Sequence, residues 1–159
     1  MKVIVHTDIN GNCVITTPTV EYMSTPLYKG TDGEDDVYFT DEEKLTLLGE
    51  RVSGGSPYRI TESSNLPTDR TYRGAWTDSN PTDTVDIDLD KAKDIHMQIL
   101  RNKRDEALKI LDIETLKGVD VQDKKQELRD LPSSIDMSSI QTLEELVSYI
   151  PDTLKELGV

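Results

Sequence analysis

Apolar and polar positions change rhythm about halfway along this chain. Near the start they alternate: Val3 and Val5 fall on one side of the run Lys2 to Thr7, and Ile4 and His6 on the other, the period of a strand. Asn10-Gly11 then offers the positive-φ pair of a tight hairpin turn, and Cys13 to Thr17 predicts the returning strand, closed by Pro18. Residues 19–39 show little periodicity and hold the acidic run Asp32-Gly33-Glu34-Asp35-Asp36, so they read as a solvated loop. Thr40 with Glu43 forms a capping-box pair that opens a short helix through Leu45, Leu47 and Leu48, ended by Gly49 or by Gly54-Gly55. Pro57 to Thr61 has strand character. Residues 63–83, rich in Ser, Thr, Asn and Asp, read as a loop or extended linker in which Trp76 pins the segment to a domain surface or anchors an interface.

From Asp90 onward the spacing is helical. Ala92, Ile95, Ile99, Ala107 and Ile110 lie on one side, and Met97, Leu100, Leu108 and Leu111 on the adjoining one. That band is wide enough to meet two neighbours or a partner chain. Asp86, Asp88 and Asp90 suit capping and dipole complementarity at the helix start, and Gly118 after Lys117 suits its end. A second helix is predicted from about Gln122 to Leu131, stopping before Pro132, with a polar connector over residues 133–139. Thr142 with Glu145 predicts a third helix carrying Leu143, Leu146, Val147 and Ile150; after Pro151, Leu154 and Leu157 dock a final turn.

The expected fold is therefore α+β: a small β-rich N-terminal region, with a hairpin, short strands and one short helix, followed by a C-terminal helical hairpin or bundle. The expected divisions are residues 1–62, a linker over 63–88, and a helical domain over 89–159.

Charge narrows the choice of partner. Thirty-one acidic residues against 18 basic give a net charge of −13, which repels a nucleic-acid backbone. The one basic cluster, Arg101, Lys103, Arg104 and Lys109, is interleaved with Asp105, Glu106 and Asp112, and reads as i,i+4 pairing on a solvated face. A single cysteine, Cys13, excludes an intrachain disulfide and a multi-cysteine metal site. The Asp-Ile-Asn-Gly-Asn stretch lacks the glycine and glutamate of a calcium loop, and Gly54-Gly55-Ser56 is too short for a phosphate loop. His6 sits on a strand and His96 on the long helix, where a surface or interface histidine is expected; neither has a hydrolase context. No apolar run has the length of a signal peptide core or a membrane span. No catalytic residue, metal or cofactor is assigned.

Three elements of the C-terminal half form a pattern: the helical pair Arg104-Asp105, then Leu111-Asp112, then the helix stop Leu128-Arg129-Asp130-Leu131-Pro132. This pattern resembles the tail assembly chaperone families of tailed bacteriophages, with Ile113 standing where those families often have tryptophan and without their second-helix tyrosine. The segment from Pro57 to Ser79 is similar to a stretch found in phage proteins of unassigned role, just ahead of such a helix. The resemblance spans about residues 57–132 and implies a non-enzymatic protein of virion morphogenesis. Such a protein binds a tail or tail-fibre structural protein through its C-terminal helices in the host cytoplasm, without nucleic acid or membrane. A permanent virion component (a tail or neck adaptor or decoration) is the alternative, a small enzyme with a dispersed site a lesser one, and homo-oligomerisation is compatible with each. Trp76, Ile99, Arg104, Leu108, Leu111, Leu128 and Arg129 are the residues expected to meet the partner.

Overall fold

The computed structural model describes residues 1–33, 35–78 and 84–158. The fold is α+β, and the chain divides into two compact units, one ending at Ile87 and the other beginning at Asp88.

In the N-terminal unit, β1 (Lys2–Thr7) is the centre of a three-stranded antiparallel sheet, with β2 (Cys13–Thr16) and β5 (Tyr58–Glu62) on its two sides. A central strand is covered on both faces, which is why Val3, Ile4, Val5 and His6 are all buried. The β1–β2 turn differs from expectation. Only Gly11 takes positive φ, at 80°, and Asn10 does not. The Asp8 carboxylate accepts from the backbone of Asn10 and Asn12 at 2.8 Å each and from Asn12 Nδ2 at 3.0 Å. The Gly11 amide donates to Asp8 O, so the loop is a longer one in which a single left-handed residue suffices.

Residues 19–39 are more ordered than their pattern suggested. They contain α1 (Val20–Ser24) and a hairpin of β3 (Tyr28–Asp32) and β4 (Asp35–Tyr38); Glu34 lies outside the described residues. The cause is tertiary: Tyr22 donates to Lys44 O, and the Lys44 ammonium, itself buried, donates to Met23 O at 2.7 Å. Both bonds tie α1 to α2 (Asp41–Ser53). Helix α2 opens on the expected Thr40/Glu43 capping box, runs through Gly49, and ends at Gly54, whose φ of 59° suits a glycine cap.

The segment read as a linker belongs to this unit. Trp76 begins the short strand β6 (Trp76–Thr77), paired with β7 (Asp86–Ile87), and is only 3% exposed. It packs with Val3, Val5 and Val85 on the face of the sheet opposite α2. Arg59 on β5 holds the segment down, its Nε donating to Asp78 Oδ1 at 2.8 Å and a terminal nitrogen to Thr84 O at 3.0 Å. Residues 79–83 of the expected loop lie outside the described residues.

The C-terminal unit is helical. Helix α3 (Leu89–Leu116) starts at Asp88, whose side chain accepts from the amides of Asp90 and Lys91, and ends where Gly118 turns away at φ 84°. Helix α4 (Gln122–Ser134) packs beside it, and α5 (Leu143–Ser148) and α6 (Asp152–Glu156) complete the core. That core joins Leu100, Ala107 and Leu111 of α3 to Val121, Leu128, Leu131 and Leu154. Each fully buried leucine contributes about 1.5–3 kcal/mol relative to exposure.

Pro132 does not stop α4. The helix continues to Ser134, with the hydroxyls of Ser133 and Ser134 donating to the carbonyls of Asp130 and Leu131. Ile135 then reaches the Leu131 carbonyl with its amide and packs on the core, so the last turn is held in spite of the proline.

Candidate functional site

The stripe of α3 that faces the core is Ala92, His96, Leu100, Ala107 and Leu111. It runs down the middle of the apolar band expected from sequence, so that band splits into a buried centre and two flanks. On one flank Leu108 packs half-buried against the core. On the other, Ile95 and Ile99 are half-buried, whereas Ile110 and Ile113 are 43% and 54% exposed. Leu116 follows at 88% and Val119, just past the turn, at 47%. Ile110, Ile113 and Leu116 are three residues apart, so each lies about 60° around the helix from the last and together they form one slanting row.

The residues nominated from sequence are not brought together in one surface. Trp76 is enclosed in the core of the N-terminal unit, and Leu111 and Leu128, at 3% and 0% exposure, lie in the core of the C-terminal one. Of the rest, Ile99, Leu108 and Arg104 are half-buried and Arg129 is exposed. Arg104 pairs with its neighbour Asp105 at 2.7 Å, on its own helix. The cross-helix contact is made by a residue that the pattern did not single out. Lys125 of α4 is 6% exposed, and its Nζ lies 2.8 Å from Asp112 Oδ1 and donates to Thr115 Oγ1 at 2.7 Å. Asp112 therefore pairs with α4 and not within the basic cluster. The exposed row was missed because Ile110 was counted with the buried residues and Ile113 and Leu116 were placed on no face; the three-residue spacing of the row, drifting off the core-facing stripe, is the signal that separates it.

The two histidines lie in different units. His96 is buried, and its Nε2 lies 2.8 Å from Tyr149 O, which places it inside the helical core and not on the surface expected for it. It joins α3 to the end of α5, a position set by the four-residue step from Ala92 and to Leu100. His6 belongs to the other unit; its Nδ1 has no hydrogen-bond partner among the described residues, and neither does Trp76 Nε1. Among the described residues no group of three or more His, Cys, Asp or Glu side chains could hold a metal ion, and no helix is long and apolar enough to cross a membrane.

The perturbed carboxylates are structural. Glu145 is held below the usual range by the backbone amides of Gln141 and Thr142, in the Thr142 capping box. Glu43 is lowered by Lys29 and by the Thr40 amide, in the equivalent box of α2. Burial, reinforced by the Asp78 carboxylate, pushes the Cys13 thiol up to about 11, where it is a poor nucleophile.

Among the described residues, two of the open grooves exceed about 600 Å³. One, of about 610 Å³, lies between α4, α5 and α6 and is lined by residues including Leu131, Ile140, Glu145 and Tyr149. The other, of about 680 Å³, is in the N-terminal unit, between Val20 and Met23 of α1 and Asp41, Glu42 and Leu45 of α2. The charged groups that line them are engaged in caps or ion pairs: Glu145 in its box, Asp152 with Lys155, Asp41 with Lys44, and Glu42 with Lys2. What stands out is the unsheltered apolar row on α3. The chain matches no protein-family model, no curated protein and no solved structure.

Proposed function

We propose that the protein is a non-enzymatic bacteriophage protein of virion morphogenesis, which holds a tail or tail-fibre structural polypeptide through its C-terminal helices in the host cytoplasm. The observation that carries the binding part of this reading is the row Ile110, Ile113 and Leu116, continued by Val119, at the free end of the α3–α4 hairpin. Large aliphatic side chains left in water along one line mark contact surfaces, and the surrounding acidic chain keeps such a surface soluble. The phage part rests on the resemblance across residues 57–132. Within that stretch Leu111, Leu128 and Leu131 build the hairpin that displays the row, so their role is to shape the surface and not to touch the partner.

The test is complementation of the phage that encodes the protein, using an Ile113→Asp/Leu116→Asp variant. Both positions are exposed, so the helical circular dichroism of the variant is expected to match wild type. Tail formation and co-purification with tail components are expected to be lost. A folded variant that restores wild-type titre and co-purifies normally refutes the reading.

A second reading, permanent residence in the virion, has an observation of its own. On the β3–β4 hairpin, Tyr28 and Tyr38 are 58% and 49% exposed and meet edge to face with centroids 6.1 Å apart, an aromatic pair of the kind that anchors interfaces. Protein present in purified particles at fixed stoichiometry would favour it over a transient chaperone.

A further inference from the structure

We infer that, in the free protein, the exposed α3 row is covered by a second copy of the chain, the two α3 helices packing antiparallel about a two-fold axis between residues 111 and 112. This rests on the reading of the row as a docking surface and adds how that surface is sheltered before its partner arrives.

The row itself limits the geometry. From the exposures of Ile110, Ile113, Leu116 and Val119, each copy offers on the order of 400 Å² of aliphatic residue surface, which with its polar rim reaches the size of a weak, reversible interface. In a two-fold arrangement the same patch must complement itself, and in an antiparallel helix pair residues on one side of the seam face residues on that same side of the other copy.

The charges select a register. With the axis between residues 111 and 112, Ile110 meets Ile113 of the second copy and Glu106 meets Lys117 of the second copy. Lys103 points toward the end of the second α3, where Asp120 lies. Glu106, Lys117 and Ile110 share one side of the seam, because 106, 110, 113 and 117 follow the three- and four-residue steps of one helix face. In this unit neither Lys103 nor Glu106 enters an ion pair among the described residues. Lys117 is 2.7 Å from Glu114 of its own helix, and its side chain is 61% exposed, so the remaining ammonium donors are open to a second carboxylate. Sliding the second helix by three residues, to bring Ile113 onto Ile113, would set Glu106 toward Asp120 and Lys109 toward Lys117. Like charges would then meet along the seam, and that register is disfavoured.

Sedimentation of the full-length chain from about 1 to about 500 µM, concentrations that span weak association, is expected to show a monomer–dimer equilibrium. Ile113→Asp is expected to leave a folded monomer. Glu106→Lys alone and Lys117→Glu alone should each weaken the dimer about tenfold at low salt, since the two-fold repeats every reversed pair twice. The combined reversal, Glu106→Lys with Lys117→Glu, should restore the wild-type constant. A wild-type monomer throughout, or single reversals without effect, or a combined reversal that fails to restore pairing, overturns the inference. None of these outcomes touches the reading of function, which is tested separately by co-purification with tail components; wild-type protein that dimerises but does not co-purify with tail components would overturn the function alone.

Discussion

Gly49→Ala in α2 offers a direct test of how the N-terminal unit is held together. In an isolated helix interior this substitution stabilises by up to about 1 kcal/mol, because alanine restricts the unfolded chain and glycine does not. Here a methyl carbon on Gly49 would lie 2.2 Å from Cε2, 2.6 Å from Cδ2 and 2.7 Å from Cζ of Tyr58. Carbon atoms in contact sit about 3.5–4.0 Å apart, so the ring has to retreat by more than about 1 Å. It is not free to do so. Tyr58 is paired to His6 across the sheet, and its hydroxyl donates to Thr46 O at 3.1 Å. Overpacking of this kind costs about 1–3 kcal/mol and losing the hydrogen bond about 1 kcal/mol, so the net effect is a destabilisation of about 1–3 kcal/mol. In a Tyr58→Ala background the space is open, and the same change should stabilise by up to about 1 kcal/mol, giving a coupling of at least about 2 kcal/mol. Urea unfolding followed by Trp76 fluorescence reports this unit, since the single tryptophan of the chain is buried in it. Gly49→Ala at or above wild-type stability in the native background, or equal effects in the two backgrounds, would refute the packing of α2 on β5 described above.

Two shorter predictions concern titration and reactivity. Glu145 has its carboxyl held below its ordinary 4.5 in the folded chain, so its contribution is present above that value and is lost as pH falls through the lowered one. The urea midpoint of the helical signal should therefore drop below pH 4.5, and Glu145→Gln, which keeps a capping amide, should flatten that drop; an unchanged slope would remove the box from the acid response. Cys13, with its thiol pushed up to about 11, should react with a disulfide reagent at pH 8 more than about tenfold slower in the native chain than in urea, and equal rates would contradict its packing under the β6–β7 segment.

Much of the local structure was legible because it depends on neighbours in sequence. The alternation around Val3 and Val5, the Thr40/Glu43 and Thr142/Glu145 boxes, and the end of α3 at Gly118 are short-range devices, each complete within a few residues, and each is present. The α+β division followed from the change of period alone. Where reading failed, a distant group intervened. Trp76 lies in a stretch with the composition of a linker, yet it closes a core because Val3, 73 residues away in sequence, packs with it and Arg59 of β5 bonds to Asp78 beside it. Pro132 looked like a stop, and hydroxyls with a packed Ile135 carry the helix past it.

The candidate surface divides in the same way. That α3 has more apolar residues than one seam requires is written in the spacing of its isoleucines and leucines, and so is the acidic charge around them. Which of those residues meet water is not, because one helix with an apolar band wider than its contact can turn either flank outward. The choice was made by α4, α5 and α6: Leu128, Leu154 and the buried Lys125 cover Leu111 and its stripe, and Tyr149 receives His96, leaving Ile110, Ile113 and Leu116 outside. A sequence sets how much apolar surface a helix carries; only the neighbours it folds against decide which part of that surface remains for another chain.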